Sequence, residues 1–291
     1  MIALATRGSA LARAQTELAI AELRTEFPEE EFRAVVLDSD GDLSPSTVAP
    51  DLPGEGWFTS RLERALRGGR VEGAVHSAKD LPTEPAPGLV LAAFLTRADP
   101  RDALVSARDL GLSELPSGAR VGTSSPRRMA QLLALRPDLL VEPIRGNVDT
   151  RVGKVRRGQV DACVIALAGL LRIGREAEGQ PLDPQLECTP APAQGAIAIQ
   201  ARVGSGFAEM AARVDDPTTR ACVEAERLVL TEMGGGCRLP LGALAQAAPD
   251  GQAKLTVAWA ATPGGPVLRI SDDSSLLELV ELATSLAARL K

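Results

Sequence analysis

The chain is predicted to be an α/β protein with a small α+β domain at its C-terminal end. Over the first two thirds, short apolar runs alternate with stretches of helical periodicity, the pattern of βαβ units. From about residue 215 the order changes to one long helix, two strands and a last helix. At 291 residues the chain is long enough for two or three domains with separate cores.

Residues 2–6 read as a strand and 9–27 as a helix, with Leu11, Ala14, Leu18 and Ala21 on one face and Pro28 just past its end. Strands follow at 32–37 and 71–75 with a helix around 57–66 between them, and a strand at 89–95 completes a first lobe. A second series begins near residue 100, with strands at 120–122, 139–144 and 160–165. The stretch Thr189-Pro190-Ala191-Pro192 then punctuates a crossover before a strand at 196–201. A helix at 217–233, strands at 255–261 and 267–271 and a helix at 275–290 make the last domain. The expected division is 1–95 with 194–214, then 96–193, then 215–291, with mainly parallel sheets in the first two. Residues 38–56, rich in Asp, Ser, Pro and Gly, join a strand end to a helix start and read as a lid.

Composition excludes several classes. With 45% apolar and 24% charged residues the chain is globular rather than disordered. Aromatics are only 2%, with no Tyr, so Ala, Leu and Val must build the cores and little is left for stacking bases. A net charge of −6 disfavours nonspecific binding to nucleic acid or membranes. One histidine, and four cysteines with no CxxC pair, argue against structural zinc. The opening apolar run is too short for a signal peptide and lacks a basic leader, and no window approaches a bilayer span. A cytoplasmic monomer is expected.

In α/β sheets, ligands bind beyond the carboxyl ends of the strands, where helix N-termini present free N–H groups. Here those ends read Thr6-Arg7-Gly8-Ser9, Ser77-Ala78-Lys79-Asp80, Thr123-Ser124-Ser125-Pro126-Arg127-Arg128, Arg145-Gly146-Asn147 with Arg151 a turn later, and Leu171-Arg172. Five loops thus deliver Arg or Lys, most of them beside small hydroxyl residues. Guanidinium forks bind carboxylates bidentately and hydroxyls add donors. A single such Arg is ordinarily a solvated surface residue; the repetition points to a ligand carrying many carboxylates. Asp80 is an acid among these cations, suited to stabilising a developing positive charge or moving a proton, or else simply paired with Lys79. Cys237 follows Gly234-Gly235-Gly236, which leaves its thiol on an adjustable turn; spacing alone leaves open a bystander cysteine. His76 closes a strand without a visible Ser or Cys partner, which favours a packing role.

The segments TRGSALARAQ at 6–15, GWFTSRLERAL at 56–66, VHSAKDLP at 75–82, GTSSPRR at 122–128, RGNVDTR at 145–151, AGLLR at 168–172, AQGAIAI at 193–199 and GGGCRLPLG at 234–242 together resemble the hydroxymethylbilane synthase (porphobilinogen deaminase) family over nearly the full chain. The resemblance implies two periplasmic-binding-protein-like lobes around a cleft plus a small C-terminal α+β domain. It implies a dipyrromethane cofactor joined by a thioether to Cys237, with porphobilinogen as substrate and Asp80 as the catalytic carboxylate. Cofactor contacts are implied for Lys79, Thr123, Ser125, Arg127, Arg128, Arg145 and Gly146. Substrate contacts are implied for Arg7, Ser9, Phe58, Ser77, Arg145, Arg151, Arg172 and Gln194, and no metal is implied. The chain departs from the family pattern at Glu55, where a Lys is common, at Gly234 in place of an acid, and at Ala193 in place of a Gly. The rival reading is a non-enzymatic two-lobe carboxylate-binding protein, which would have no use for Cys237, Asp80 or the third domain.

Overall fold

The computed structural model describes residues 1–37, 60–84, 86–236, 239–262 and 264–291. The expected lid, Phe58 and Cys237 lie outside them. The chain divides into two units, Met1–Arg97 with Ala196–Arg220, and Ala98–Gly195 with Ala221–Lys291.

The first unit is built on β1 (Ile2–Thr6), β2 (Phe32–Val36), β3 (Gly73–Ser77), β4 (Leu89–Phe94) and β10 (Ile197–Arg202), in the order β2-β1-β3-β10-β4. β1 runs parallel to β2 and β3, while β10 is antiparallel to both β3 and β4. Side-chain alternation along β1 feeds two cores. Leu4 joins Ile20, Leu23, Ile199 and Phe207 beneath α1 (Ala10–Glu26) and α6 (Gly206–Ala211). Ala3 and Ala5 join Leu62, Leu66 and Val71 against α2 (Ser60–Arg67). The Ser9 side chain caps α1 by accepting from the Ala12 N–H, and the Phe27 N–H closes it on the Leu23 carbonyl. Gly73 is required where it stands: a Cβ there would lie 2.4 Å from the Phe207 ring.

The second unit repeats that plan with β5 (Asp102–Ser106), β6 (Arg120–Gly122), β7 (Leu140–Glu142), β8 (Ala162–Ala166) and β9 (Gln180–Pro181), ordered β7-β6-β8-β5-β9. β6 is parallel to β7 and β8; β5 is antiparallel to β8 and β9. Helices α3 (Pro126–Leu135), α4 (Val148–Arg156) and α5 (Leu167–Leu171) follow β6, β7 and β8. Both sheets are therefore mixed, which corrects the expectation of mainly parallel ones. The cause is topological: residues 95–101 lead straight into β5 and residues 182–196 into β10, so each crossover supplies a strand running against its neighbours.

After α7 (Pro217–Glu232) the same unit holds a third, antiparallel sheet of β11 (Leu241–Ala247), β12 (Gln252–Ala260) and β13 (Val267–Ser275), followed by α8 (Leu279–Leu290). Val229, Leu241, Leu255, Val257 and Leu286 form its core. Two strands were expected and three are present. β13 also reaches Ser275, where a helix was expected to start, because its polar end pairs with β12 up to Gln252.

Candidate active site

In the first unit, Arg7, Ser9, Gln15, His76, Ser77 and Asp80 line one recess. Arg7 and Ser9 arrive from the end of β1, Ser77 from the end of β3, and Lys79 and Asp80 from the 3-10 turn Ala78–Asp80 that follows. That turn is pinned by the Ala78 N–H, which donates to the Ala196 carbonyl on the approach to β10 at 3.1 Å. Asp80 is exposed, Lys79 and Arg7 are partly buried, and Lys79 is not among the residues lining the recess. Ser9 Oγ accepts from Ala12 N at 3.2 Å, which leaves its own hydrogen to donate. Ser77 differs. Its hydroxyl accepts from Gln15 Nε2 at 2.8 Å and donates to Gln15 Oε1 at 2.9 Å, so Gln15, which the sequence reading passed over, holds it in place.

In the second unit, Thr123 is buried at the end of β6 and its Oγ1 accepts from Ser125 N at 3.2 Å. Ser125 in turn caps α3, accepting from the Arg128 N–H, with Pro126 in the first turn. Asn147 caps α4 through Thr150 N at 2.9 Å. Gly146 has φ 109, and a Cβ there would lie 2.5 Å from Thr150 Cγ2, so the turn that exposes Arg145 needs glycine. Arg151 Nε donates to the Gly146 carbonyl at 2.8 Å and Lys154 Nζ to that of Arg145 at 3.1 Å, which ties this cationic turn to its helix.

Arg127 and Arg128 are not the open forks that their position after a strand suggests. They are only 4% and 6% exposed, and both bond Asp102, at 2.7 and 2.6 Å. Gln194 was expected with the first lobe but lies in the second unit, where Nε2 donates to Asp102 Oδ1 at 2.9 Å and to the Pro100 carbonyl at 2.8 Å. Burial by itself would raise the Asp102 pKa; the two guanidiniums outweigh it and hold the carboxyl well below its usual range. Asp102 was missed in the sequence, although an acid opening the apolar run Ala103-Leu104-Val105 signals a buried, paired carboxylate. Arg172, at the end of α5, donates from Nη2 to the Gly195 carbonyl at 2.6 Å.

Cys163, Cys188 and Cys222 are all buried. Burial pushes the Cys163 thiol up to about 11; burial and then the neighbouring Asp102 push Cys188 up to about 12. Neither is a thiolate at neutral pH, so neither is a ready nucleophile. Gly234, Gly235 and Gly236, which lead to Cys237, have φ of 99, 69 and 100, a run of left-handed backbone open to glycine.

Residues 2–209 match the family model for porphobilinogen deaminase, dipyromethane cofactor binding domain, and residues 220–290 match porphobilinogen deaminase, C-terminal domain. The chain is 43% identical over 292 residues to the porphobilinogen deaminase of Thermobifida fusca (strain YX), covering 99% of this chain and 91% of the relative. It is 44% identical over 300 residues to that of Mycobacterium leprae (strain TN), covering 100% and 94%. Among solved structures, a TRAP periplasmic solute binding protein from Pseudomonas putida F1 covers 79% of this chain and 80% of its own at a TM-score of 0.41 and 10% identity. The matched models and the near-complete coverage of these relatives leave one conclusion: the chain belongs to the porphobilinogen deaminase family.

Proposed function

We propose that the chain is a hydroxymethylbilane synthase, a transferase that condenses four porphobilinogen molecules with loss of one ammonia from each and, by addition of water, releases linear hydroxymethylbilane. The growing chain starts on a dipyrromethane primer in thioether linkage to Cys237. The observation that carries this reading is the recess of the first unit, which Asp80 lines together with Arg7 and Ser9. A pyrrole acid needs both kinds of partner, an acceptor for its ring N–H and donors for its carboxylates.

The same donor chemistry fits dipyrromethane. Lys79, Thr123, Ser125 and Arg145 would hold its acetate and propionate groups with Arg127, Arg128 and the backbone at Gly146. Arg7, Ser9, Arg151 and Arg172 would take the carboxylates of incoming and coupled rings, together with Arg145, and Phe58, Ser77 and Gln194 would complete the substrate contacts. When bound, the primer supplies a nucleophilic pyrrole carbon to which the first ring is joined. Asp80 accepts pyrrole N–H groups and opposes the positive charge that develops as ammonia leaves. Because each porphobilinogen brings two carboxylates, elongation needs successive cationic anchors, and the strand-end arginines supply them.

Burial of the three described cysteines supports Cys237 as the site of the thioether. Within this reading the chain is a cytoplasmic monomer of three domains, one around each sheet; sedimentation and limited proteolysis check those points. A non-enzymatic carboxylate-binding protein is not favoured, since it would leave the cofactor-domain match without a purpose. Intact mass is the direct test. The purified protein should exceed its sequence mass by two porphobilinogen units less the ammonia eliminated, the adduct should map to the Cys237 peptide, and the protein should consume porphobilinogen. Fully active protein with an unmodified Cys237 would overturn the assignment.

A further inference from the structure

Asp102 opens β5 with no exposed surface. Its Oδ1 accepts from Arg128 Nε and Nη2 at 3.2 and 2.6 Å and from Gln194 Nε2 at 2.9 Å. Its Oδ2 accepts from Arg127 Nη1 at 2.7 Å and from Cys188 Sγ at 3.3 Å. Two guanidiniums on one carboxylate leave the group with a surplus of one positive charge, in a place where the arginine side chains are 5% and 7% exposed. A fold gains nothing from a buried surplus charge, and desolvating it opposes stability. The surplus makes sense if an anion joins the group. Donors remain for one: Arg127 Nη1 also bonds the Thr189 carbonyl at 2.6 Å, while among the described residues no acceptor is found for its Nε or Nη2.

We infer that Asp102 is a positioning residue for the primer: it fixes Arg127 and Arg128 in the first turn of α3 in the orientation that takes the primer's carboxylates. Arg side chains are long and rotamer-rich, and two like-charged forks side by side repel. A shared carboxylate eases both problems, since it pins Nη1 of Arg127 and the Nε–Nη2 edge of Arg128 and halves the bare charge. Gln194, from the return crossover, and Cys188 lock that carboxylate in turn. The inference rests on the reading of Arg127 and Arg128 as carboxylate anchors.

The test uses full chains of Asp102→Asn, Arg127→Leu, Arg128→Gln and the double variant Asp102→Asn/Arg128→Gln, each produced without porphobilinogen. Porphobilinogen is then added and the appearance of the two-pyrrole adduct is followed by intact mass, with circular dichroism and melting reporting the fold separately. Folded Asp102→Asn and Arg127→Leu should each load at least about tenfold more slowly than the parent, the scale expected when one partner of a buried charge pair is lost. Loading of Asp102→Asn within about twofold of the parent while Arg127→Leu is slow overturns the inference and leaves the anchors standing. Parental rates in every variant would remove the anchor reading itself. If Asp102→Asn does not fold, the double variant decides, because it carries the parent's surplus of one positive charge rather than two. It should load more slowly than Arg128→Gln alone, and equal rates overturn the inference.

Discussion

His76 Nε2 donates to Oε1 of Gln200 at 3.0 Å, joining the antiparallel strands β3 and β10 beside the recess that holds Asp80. Burial, and to a lesser degree the charge of Arg7, pushes the imidazole pKa down to about 4 against the pull of the Gln200 bond. The chain's single histidine is therefore neutral at physiological pH and brings no positive charge to the recess.

That shift predicts a specific acid sensitivity. Between about pH 6.5 and 4 the unfolded chain binds a proton at His76 that the folded chain refuses, so stability falls as pH falls through this window. The full loss is roughly 3 kcal/mol, of which about 2 kcal/mol lies between pH 7.5 and 5, where most carboxylates remain ionised. Denaturant titrations at those two pH values should show the drop in the parent and not in His76→Gln. Equal pH dependence in the two proteins would mean that the imidazole is not held neutral. Asp102 contributes in a separate window: its folded pKa is depressed, so its stabilisation is present above about pH 4 and is lost below it.

Arg172 should separate function from stability. Burial pushes its pKa down to about 10, which still leaves it charged, and its partner among the described residues is the Gly195 carbonyl rather than a carboxylate. A desolvated cation without an acid opposes folding. Arg172→Leu is therefore expected to melt within about 1 kcal/mol of the parent or above it, yet to slow porphobilinogen consumption by about tenfold or more. A loss of stability above about 2 kcal/mol with normal turnover would make Arg172 a structural residue.

The return crossover offers a backbone test. Gly195 has φ 91, and a Cβ there would lie 2.5 Å from the Ala98 carbonyl oxygen. Neither conflict can be relieved by a side-chain movement, because the obstacle is main chain. Gly195→Ala should cost about 2 kcal/mol or more in chemical denaturation. Ala193, two residues earlier, has φ 63, inside the left-handed well that alanine can enter at a cost, and its N–H donates to the buried Glu226 at 2.6 Å. That accounts structurally for how this chain tolerates Ala where the family pattern has Gly. A Gly195→Ala protein as stable as the parent would show that the turn relaxes.

The strand ends and helix caps were legible in the sequence because local chemistry fixes them. Ser9, Ser125 and Asn147 precede helices and cap them, and the positive-φ run before Cys237 is spelled out by three glycines. Strand direction was not legible, since β5 and β10 pair antiparallel through contacts distant in the chain. β11 escaped notice because Leu-Gly-Ala-Leu-Ala-Gln-Ala contains no β-branched or aromatic residue, and only its pairing with β12 makes it a strand. The pairing of Asp102 with Arg127 and Arg128 spans 25 and 26 residues, beyond the reach of any local rule.

The proposed mechanism turns on Asp80. It is exposed at the end of a 3-10 turn whose first N–H is tied to Ala196, so the carboxylate is held by backbone while remaining open to a ligand. Loss of ammonia from porphobilinogen leaves positive charge on the ring, and coupling would pass that charge to the pyrrole that supplies the nucleophilic carbon, so a fixed carboxylate would assist both stages. A unit charge about 4 Å away at an effective dielectric near 20 contributes roughly 4 kcal/mol, or about three decades in rate. Asp80→Asn keeps the shape and removes the charge. It should fold, hold pyrrole rings, and turn over porphobilinogen about a thousandfold more slowly or worse. Asp80→Glu keeps the charge but displaces it, and should retain partial activity. Turnover by Asp80→Asn within about tenfold of the parent would mean that the catalytic role is assigned to the wrong residue.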